Sequence, residues 1–396
     1  MISRLRTTFL LVAAVLIATA PARAEIGTSA KALAPIPAAT LSLMAARDTA
    51  PGAPILMRSF KKEGELEVWK RVRNGRYVLL KMFPICRWSG QLGPKQKQGD
   101  RMTPEGFYSV TKRQLNPTSA LHLSFDLGFP NAYDRAHGAT GSHLMVHGVC
   151  SSMGCYAMTN TQITEMYALA REAFLGGQGA FQFQAYPFRM TPRNMARARQ
   201  ERHIDFWRQL KEGYDRFEAT GEEPNVSVVG GRYVFAPFRD PEREALAQAR
   251  LSEETQKTAK LIEDGSAATR ITYADGGQHA SYAALSRAGA PELGDISRPE
   301  ALAAAGREIV IVPARLKPAV RAAAAAPPVR PATLASLGVS SVPLPLSSAT
   351  ADLSLVFRPT LLGPGGSSDS GLAMLAGAAG IVPAPLSRRP EMRAQR

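Results

Sequence analysis

The sequence predicts a mainly β domain with flanking helices, an α+β fold, followed by a long disordered tail. Three observations carry this. Short apolar runs separated by turn dipeptides recur from Glu65 to Ala236. Two longer stretches, 161–175 and 191–219, carry helical spacing with start or stop signals. Beyond residue 240 only Tyr273, Tyr282 and Phe357 are aromatic, so the large side chains that a core needs lie upstream.

Residues 1–24 read as a secretory signal peptide. Arg4 and Arg6 precede an apolar run from Phe9 to about Ala20, and Ala22-Arg23-Ala24 offers a small-x-small cleavage site. The run is short for a membrane span and no later segment reaches spanning length, so an exported protein with no transmembrane segment after cleavage is expected. Residues 25–55, rich in Ala, Pro, Ser and Thr, read as a linker. The domain then runs over 56–238. Glu65–Val72 and Arg76–Phe83 flank Asn74-Gly75, a strong hairpin signal. Phe107–Leu115 and Ala120–Leu127 are further strands, and the long aperiodic loop from Gly128 to Ser142 has the length of a substrate-covering loop.

Leu144–Val146 reads as a short buried strand. Thr161 to Leu175 places Ile163, Met166, Tyr167, Ala170 and Phe174 on one helical face and stops at Gly176-Gly177. Ala180–Tyr186 alternates as a strand, and Thr191-Pro192 opens a helix that continues to about Ala219. A final hairpin spans Asn225–Ala236 around Gly230-Gly231. Asp240-Pro241 caps a possible helix over 239–264 with a thin apolar face. From 265 to 396 the Ala/Pro/Ser/Gly-rich composition buries too little apolar surface to offset its ordering entropy, with runs such as Ile309–Val312 as docking segments.

The net charge of +15 raises nucleic acid as a partner, but the Lys and Arg residues are scattered and no nucleic-acid motif is present. A basic soluble protein is the simpler reading, and such a charge also suits an anionic partner such as a carboxylate-rich envelope polymer. The chemistry concentrates in residues 142–160, where His147-Gly148 leads through small residues to Ser152-Met153-Gly154-Cys155. A base, small residues that admit backbone N–H groups, and a thiol are the parts of a cysteine acyl-transfer site. Cys155 is the candidate nucleophile and His147 the candidate acid and base. Gly154 and Cys155 N–H are candidate oxyanion donors, and Ser152 is an orienting hydroxyl.

His143 faces the same side if the run is a strand, but about 13 Å away at ~3.3 Å per residue, so one histidine at most reaches the thiol. His143, His122 and His137 are read as structural or surface residues. Cys86 and Cys150 either pair or stay as free buried thiols. A competing pattern, His143, His147, Cys150 and Cys155, has four soft zinc ligands, which the strand geometry of the histidines works against.

These motifs resemble the L,D-transpeptidase (YkuD-like) catalytic domain. The likeness rests on His147-Gly148, Ser152-x-Gly154-Cys155 and Met158, and extends to Gly93-Pro94-Lys95, Gly99-Asp100, Thr103-Pro104-Glu105-Gly106-x-Tyr108 and Trp207-Arg208-Gln209-Leu210-Lys211. The fuller pattern is most similar to the YafK-like subgroup. The resemblance implies an L,D-transpeptidase-type β-sandwich or barrel, peptidoglycan stem peptides as substrate, a periplasmic or envelope location, and no cofactor or metal. It leaves three acceptors: an amine for cross-linking, a lipoprotein lysine for anchoring, and water for an amidase that releases lipoprotein. Lys95, Lys97, Arg101 and Arg135 lie in the expected loops, where solvated surface charge is the first reading for any one of them and pairing with substrate carboxylates the second. The reading from another class is a non-catalytic envelope-binding protein with structural zinc.

Overall fold

The computed structural model describes residues 29–304 and 306–315. The expected signal peptide and the expected tail beyond 315 lie outside the described residues. After helix α1 (Ala38–Ala46), strands β1 (Ile55–Phe60), β2 (Glu65–Arg71) and β3 (Tyr77–Pro84) form an antiparallel meander. The β2–β3 turn uses Gly75 at a φ of 84°. Next come β4 (Gly106–Thr111), the short β5 (Leu115–Asn116) and β6 (Ser124–Asp126), helix α2 (Ala132–Ala136), then β7 (Met145–His147) and β8 (Tyr156–Ala157). Helix α3 (Asn160–Leu175) starts on a capping box between Thr159 and Gln162. Strand β9 (Ala180–Tyr186) follows it.

The single helix expected from 191 to 219 is broken into α4 (Pro192–Arg197) and α5 (Ile204–Thr220). Tertiary contacts win over local preference in the break. His203 packs so tightly on Gly93 that a Cβ there would come within 2.5 Å of the ring, and Glu201 pairs with Arg270 at 3.1 Å. Strands β10 (Val226–Val229) and β11 (Arg232–Phe235) then form the expected hairpin. Helix α6 (Pro241–Glu263) starts on the Asp240 cap. Its apolar face is indeed thin, and ion pairs from α5 hold it: Lys211 to Glu254 at 3.1 Å and Arg216 to Glu244 at 2.9 Å.

Two sheets and their flanking helices give the α+β class. The larger sheet has the order β3-β2-β1-β9-β4, with β1 and β9 parallel; the smaller is β5-β6-β7-β8. Phe83, Val68, Met57 and Phe181 of the large sheet share one core with Met166, Leu169 and Ala170 of α3 and with Phe125, Val146 and Tyr156 of the small sheet. A second core joins Phe60, Phe107 and Tyr186 to Trp207, Leu210 and Tyr214 of α5 and to Tyr233 and Phe235 of the last hairpin. The large sheet is therefore covered on both sides, which explains why all six residues of β1 are buried rather than alternating.

Both ends depart from the sequence expectation. The supposed linker packs on the domain: Ala32, Ile36, Thr40 and Met44, spaced by four, are buried. Thr40 donates to Glu165 at 2.5 Å, and Arg171 donates to the Ala32 and Ala34 carbonyls. Composition missed this because small residues do the packing. The supposed disordered tail is folded as far as 315, with β12 (Ala268–Thr272), α7 (Ala280–Arg287), α8 (Pro299–Ala303) and β13 (Arg307–Val312). Its few large residues are placed well: Tyr273 stacks edge-on against Trp88, and Tyr282 joins Leu293 against Cys86 and Cys150. The run Ile309–Val312 pairs with β12.

Cys86 and Cys150 form a disulfide, closing a sequence separation of 64 residues. Replacing both with Ser should lower stability by about 2–4 kcal/mol, read as a lower urea midpoint with a somewhat steeper slope, because the unfolded chain loses its cross-link and exposes more surface.

Candidate active site

The small sheet builds the site. Strand β7 lies beside β6, with His147 opposite Ser124, and pairs in parallel with β8 so that His147 faces Ala157. Cys155 stands in the bend just before β8, and its sulfur lies beside the start of β7, accepting from the Met145 N–H at 3.4 Å and donating to the His143 carbonyl at 3.8 Å. Cys155 and His147 both line one cavity of about 340 Å³ with Lys95, Leu121, Ser142 and Leu144. A larger hollow of about 630 Å³ lies between α4, α5 and α6, but neither a Cys nor a His lines it.

Between the two strands the chain makes a tight loop. A Cβ on Gly148 would sit 2.6 Å from the Asn160 side-chain oxygen and 2.9 Å from the Leu121 carbonyl, so only glycine fits after the histidine. Val149 then takes a φ of 61°, costly for a β-branched residue, and its N–H donates to Asn160. Cys150 is tied down by its disulfide.

His147 is buried, and its Nδ1–H donates to the Gly148 carbonyl at 2.5 Å. That bond fixes the tautomer, because a carbonyl only accepts: Nε2 is left with a free lone pair. Burial lowers the imidazole below its ordinary value, and the Gly148 bond opposes this only partly. Burial also pushes the Cys155 thiol up, against the Met145 N–H that reaches its sulfur at 3.4 Å and the positive field of Lys95. The resting pair is thus neutral thiol and neutral imidazole, which suits proton transfer during attack rather than a preformed ion pair.

The oxyanion expectation meets a correction. The N–H groups of Gly154 and Cys155 both donate to Ser152 Oγ, at 3.2 and 3.1 Å, so neither is free to point at a substrate oxygen. Ser152 Oγ in turn donates to the Cys155 carbonyl at 2.7 Å. The orienting part expected of Ser152 thus has a geometry: its hydroxyl organises the turn that presents the sulfur. Gly154 matters through its φ of 131°.

The other sequence candidates separate. Lys95 lines the cavity, buried, with Asp100 at 2.5 Å. Lys97 is exposed, while Arg101 turns to Asp275 at 2.5 Å and to the Ser152 carbonyl at 3.3 Å. Arg135 donates to the Pro130 carbonyl and lines a different hollow. His143 precedes β7, is exposed, and lies 3.5 Å from Asp126. His122 bonds Thr164 and His137 stacks on Tyr133. The zinc pattern is broken because the disulfide consumes Cys150.

Several site residues had no reading of their own in the sequence. Ser89 meets Ser152 Oγ at 3.0 Å, and Thr103 donates to the Cys155 carbonyl at 3.2 Å. Glu105, in the same Thr-Pro-Glu-Gly run, anchors Lys61, the Gly93 N–H and Trp207. The motif was visible, but its inward bonds were not.

Residues 56–175 match the L,D-transpeptidase catalytic domain family, YkuD. YafK of Escherichia coli strain K12 is 50% identical over 185 residues, covering 47% of this chain and 75% of that protein, and the O157:H7 protein matches equally. The chain belongs to the L,D-transpeptidase family. With that membership comes the coarse assignment, an enzyme acting on peptidoglycan. Two solved structures align more remotely. The helical cell shape determining protein Pgp2 from Campylobacter jejuni does so over 59% of this chain and 80% of its own, at 13% identity and a TM-score of 0.28. Bd1075 from Bdellovibrio bacteriovorus does so over 56% and 75%, at 13% identity and a TM-score of 0.26. The L,D-transpeptidase family match ends with α3, so every element from β9 to β13, and with them Asp275 and Ser297, lies beyond it.

Proposed function

We propose that this L,D-transpeptidase is an exported cysteine acyltransferase of peptidoglycan stem peptides, with Cys155 as nucleophile and His147 as acid and base. The observation that supports the reading is that Cys155 and His147 line one cavity, with Nδ1–H of His147 held by the Gly148 carbonyl so that Nε2 is the ring nitrogen able to accept a proton. In the first half-reaction Cys155 Sγ bonds to the carbonyl carbon at the L-centre of a diaminopimelate residue while Nε2 takes the thiol proton. The C–N bond then breaks, the leaving amine receives that proton, and a thioester remains. An incoming amine forms a C–N bond to the thioester carbon and gives a proton to Nε2 of His147, the C–S bond breaks, and the imidazolium returns that proton to the sulfur, restoring the thiol. Ser152 keeps the 152–155 turn in register, and Lys95, which lines the same cavity and is paired with Asp100, is the cation offered to a substrate carboxylate.

Export is supported by the disulfide, a bond of oxidising compartments, and by the basic, small-residue-bounded N-terminal sequence. No helix among the described residues is long and apolar enough to cross a membrane. The domain is read as 56–238, with α1 and the segment after α6 packed on it.

The test is digestion of intact sacculi by wild-type protein and by Cys155→Ala, followed by mass analysis. New cross-links between diaminopimelate residues identify amine transfer. Released stem peptides carrying a lipoprotein lysine identify water as acceptor, the amidase outcome. Cys155→Ala should give neither product, and activity surviving in that variant would refute the nucleophile.

A further inference from the structure

The nucleophile turn is held from an unexpected direction. Ser297, 142 residues downstream of Cys155, touches Ser152 twice: it accepts from the Ser152 N–H at 3.1 Å and donates to the Ser152 carbonyl at 3.0 Å. Ser152 Oγ then binds the N–H and the carbonyl of Cys155. A continuous run of hydrogen bonds thus joins the C-terminal segment to the residue that carries the sulfur.

A second tie runs in parallel through Asp275. Its carboxylate accepts from Arg101 at 2.5 Å and from the Gly90 N–H at 3.1 Å, with Arg87 at 3.3 Å and Arg298 at 3.5 Å. Arg101 also donates to the Ser152 carbonyl, so the two ties converge on one peptide. The backbone is fixed as well: Trp88 and Gly277 exchange both of their hydrogen bonds, and Gly276 N–H donates to the Gly90 carbonyl. Among the described residues, none that lines the cavity comes from the segment after β8, so residues 266–300 hold the turn from outside the cavity.

We infer that residues 266–300 are a built-in brace for the nucleophile turn, with Ser297 a positioning residue that acts on Cys155 through Ser152. This inference rests on the reading of Cys155 as nucleophile. Its physical content is that Ser152 has its peptide groups fixed at both N–H and carbonyl, so its hydroxyl stays aimed at Cys155. Without Ser297 the turn gains freedom and the sulfur leaves its aligned, partly desolvated position.

The test uses the full chain with Ser297→Ala and Ser297→Thr. Asp275 is a poor target, because removing its charge strands the fully buried Arg87. The chain has three cysteines and two are bonded, so mass spectrometry reads alkylation of Cys155 alone. In Ser297→Ala, turnover of stem peptides from sacculi should fall on the order of 10- to 100-fold in kcat with little change in KM. Iodoacetamide should meanwhile react with Cys155 severalfold faster at neutral pH, and the midpoint of that reaction should move down toward the ordinary thiol value of 9.0. Ser297→Thr keeps the hydroxyl and should restore both.

Opposite movement of turnover and alkylation is the signature of lost alignment. Unchanged kcat and alkylation in Ser297→Ala would overturn the brace, and so would a parallel fall of both with the melting temperature. The alkylation arm needs no enzymatic activity. A failure of the acyltransferase reading would show as activity retained by Cys155→Ala, and so stays distinguishable.

Discussion

His147→Gln is expected to cut turnover by about 10²–10⁴-fold while leaving the fold intact. The pH dependence gives the sharper readout. In the wild type the imidazole is held below its ordinary value of 6.5 by burial, so the base is already deprotonated somewhat below that pH. Activity should rise through this depressed value, then stay level across neutral pH, because the thiol is pushed above 9.0 and loses its proton only as attack occurs. In His147→Gln the acidic limb should vanish. The residual rate should climb with pH through the thiol's own raised ionisation, since hydroxide then does the work of the imidazole. A variant that kept the acidic limb would show that another group supplies it.

Glu105→Ala should destabilise the protein by about 3–5 kcal/mol, the cost of leaving a buried charge without its partner. Lys61 is fully buried and lies 2.8 Å from the Glu105 carboxylate, which also accepts from the Gly93 N–H at 2.7 Å and from Trp207 Nε1 at 2.8 Å. One side chain therefore connects the end of β1, the turn-rich segment and α5. The sign of the pH effect follows from Lys61, whose ammonium is lowered by burial and sustained by Glu105. Without Glu105 it is lowered further, so at alkaline pH the unfolded chain binds more protons than the folded one. Stability of the variant then rises with pH, and the loss shrinks as Lys61 becomes neutral. Urea unfolding at neutral and alkaline pH measures this. A loss that stayed constant would place the cost in packing instead.

The parts of this fold that were legible in the sequence are the local ones. Asn74-Gly75 and Gly230-Gly231 each closed a hairpin, Asp240-Pro241 opened α6, and the apolar face from Ile163 to Phe174 gave α3. His147 and Cys155 are visible as candidates because a His-Gly pair and a Ser-x-Gly-Cys run stand eight positions apart, and both residues line one cavity. What stayed hidden depends on distant residues. Nothing near Ser297 or Asp275 advertises a partner at Ser152 or Arg87, and an Ala/Pro/Gly-rich composition argued against any packing there. The oxyanion assignment failed for a related reason, since spacing shows that Gly154 and Cys155 have N–H groups but not that Ser152 Oγ takes both. The N-terminal arm was missed because Ala32, Ile36, Thr40 and Met44 straddle two prolines and resemble no amphipathic helix.

The Cys86–Cys150 bridge fastens the strand end that leads into Arg87 and Trp88 to the loop just after the histidine. In a newly made chain, before any oxidant has acted, that staple is missing and the left-handed Val149 must be held by Asn160 alone. Under the proposed reading of an exported acyltransferase, completion of the pocket would follow the order of events after synthesis: translocation first, oxidation second, competence last. Such timing would keep a wall-modifying thiol idle until it stands beside the wall.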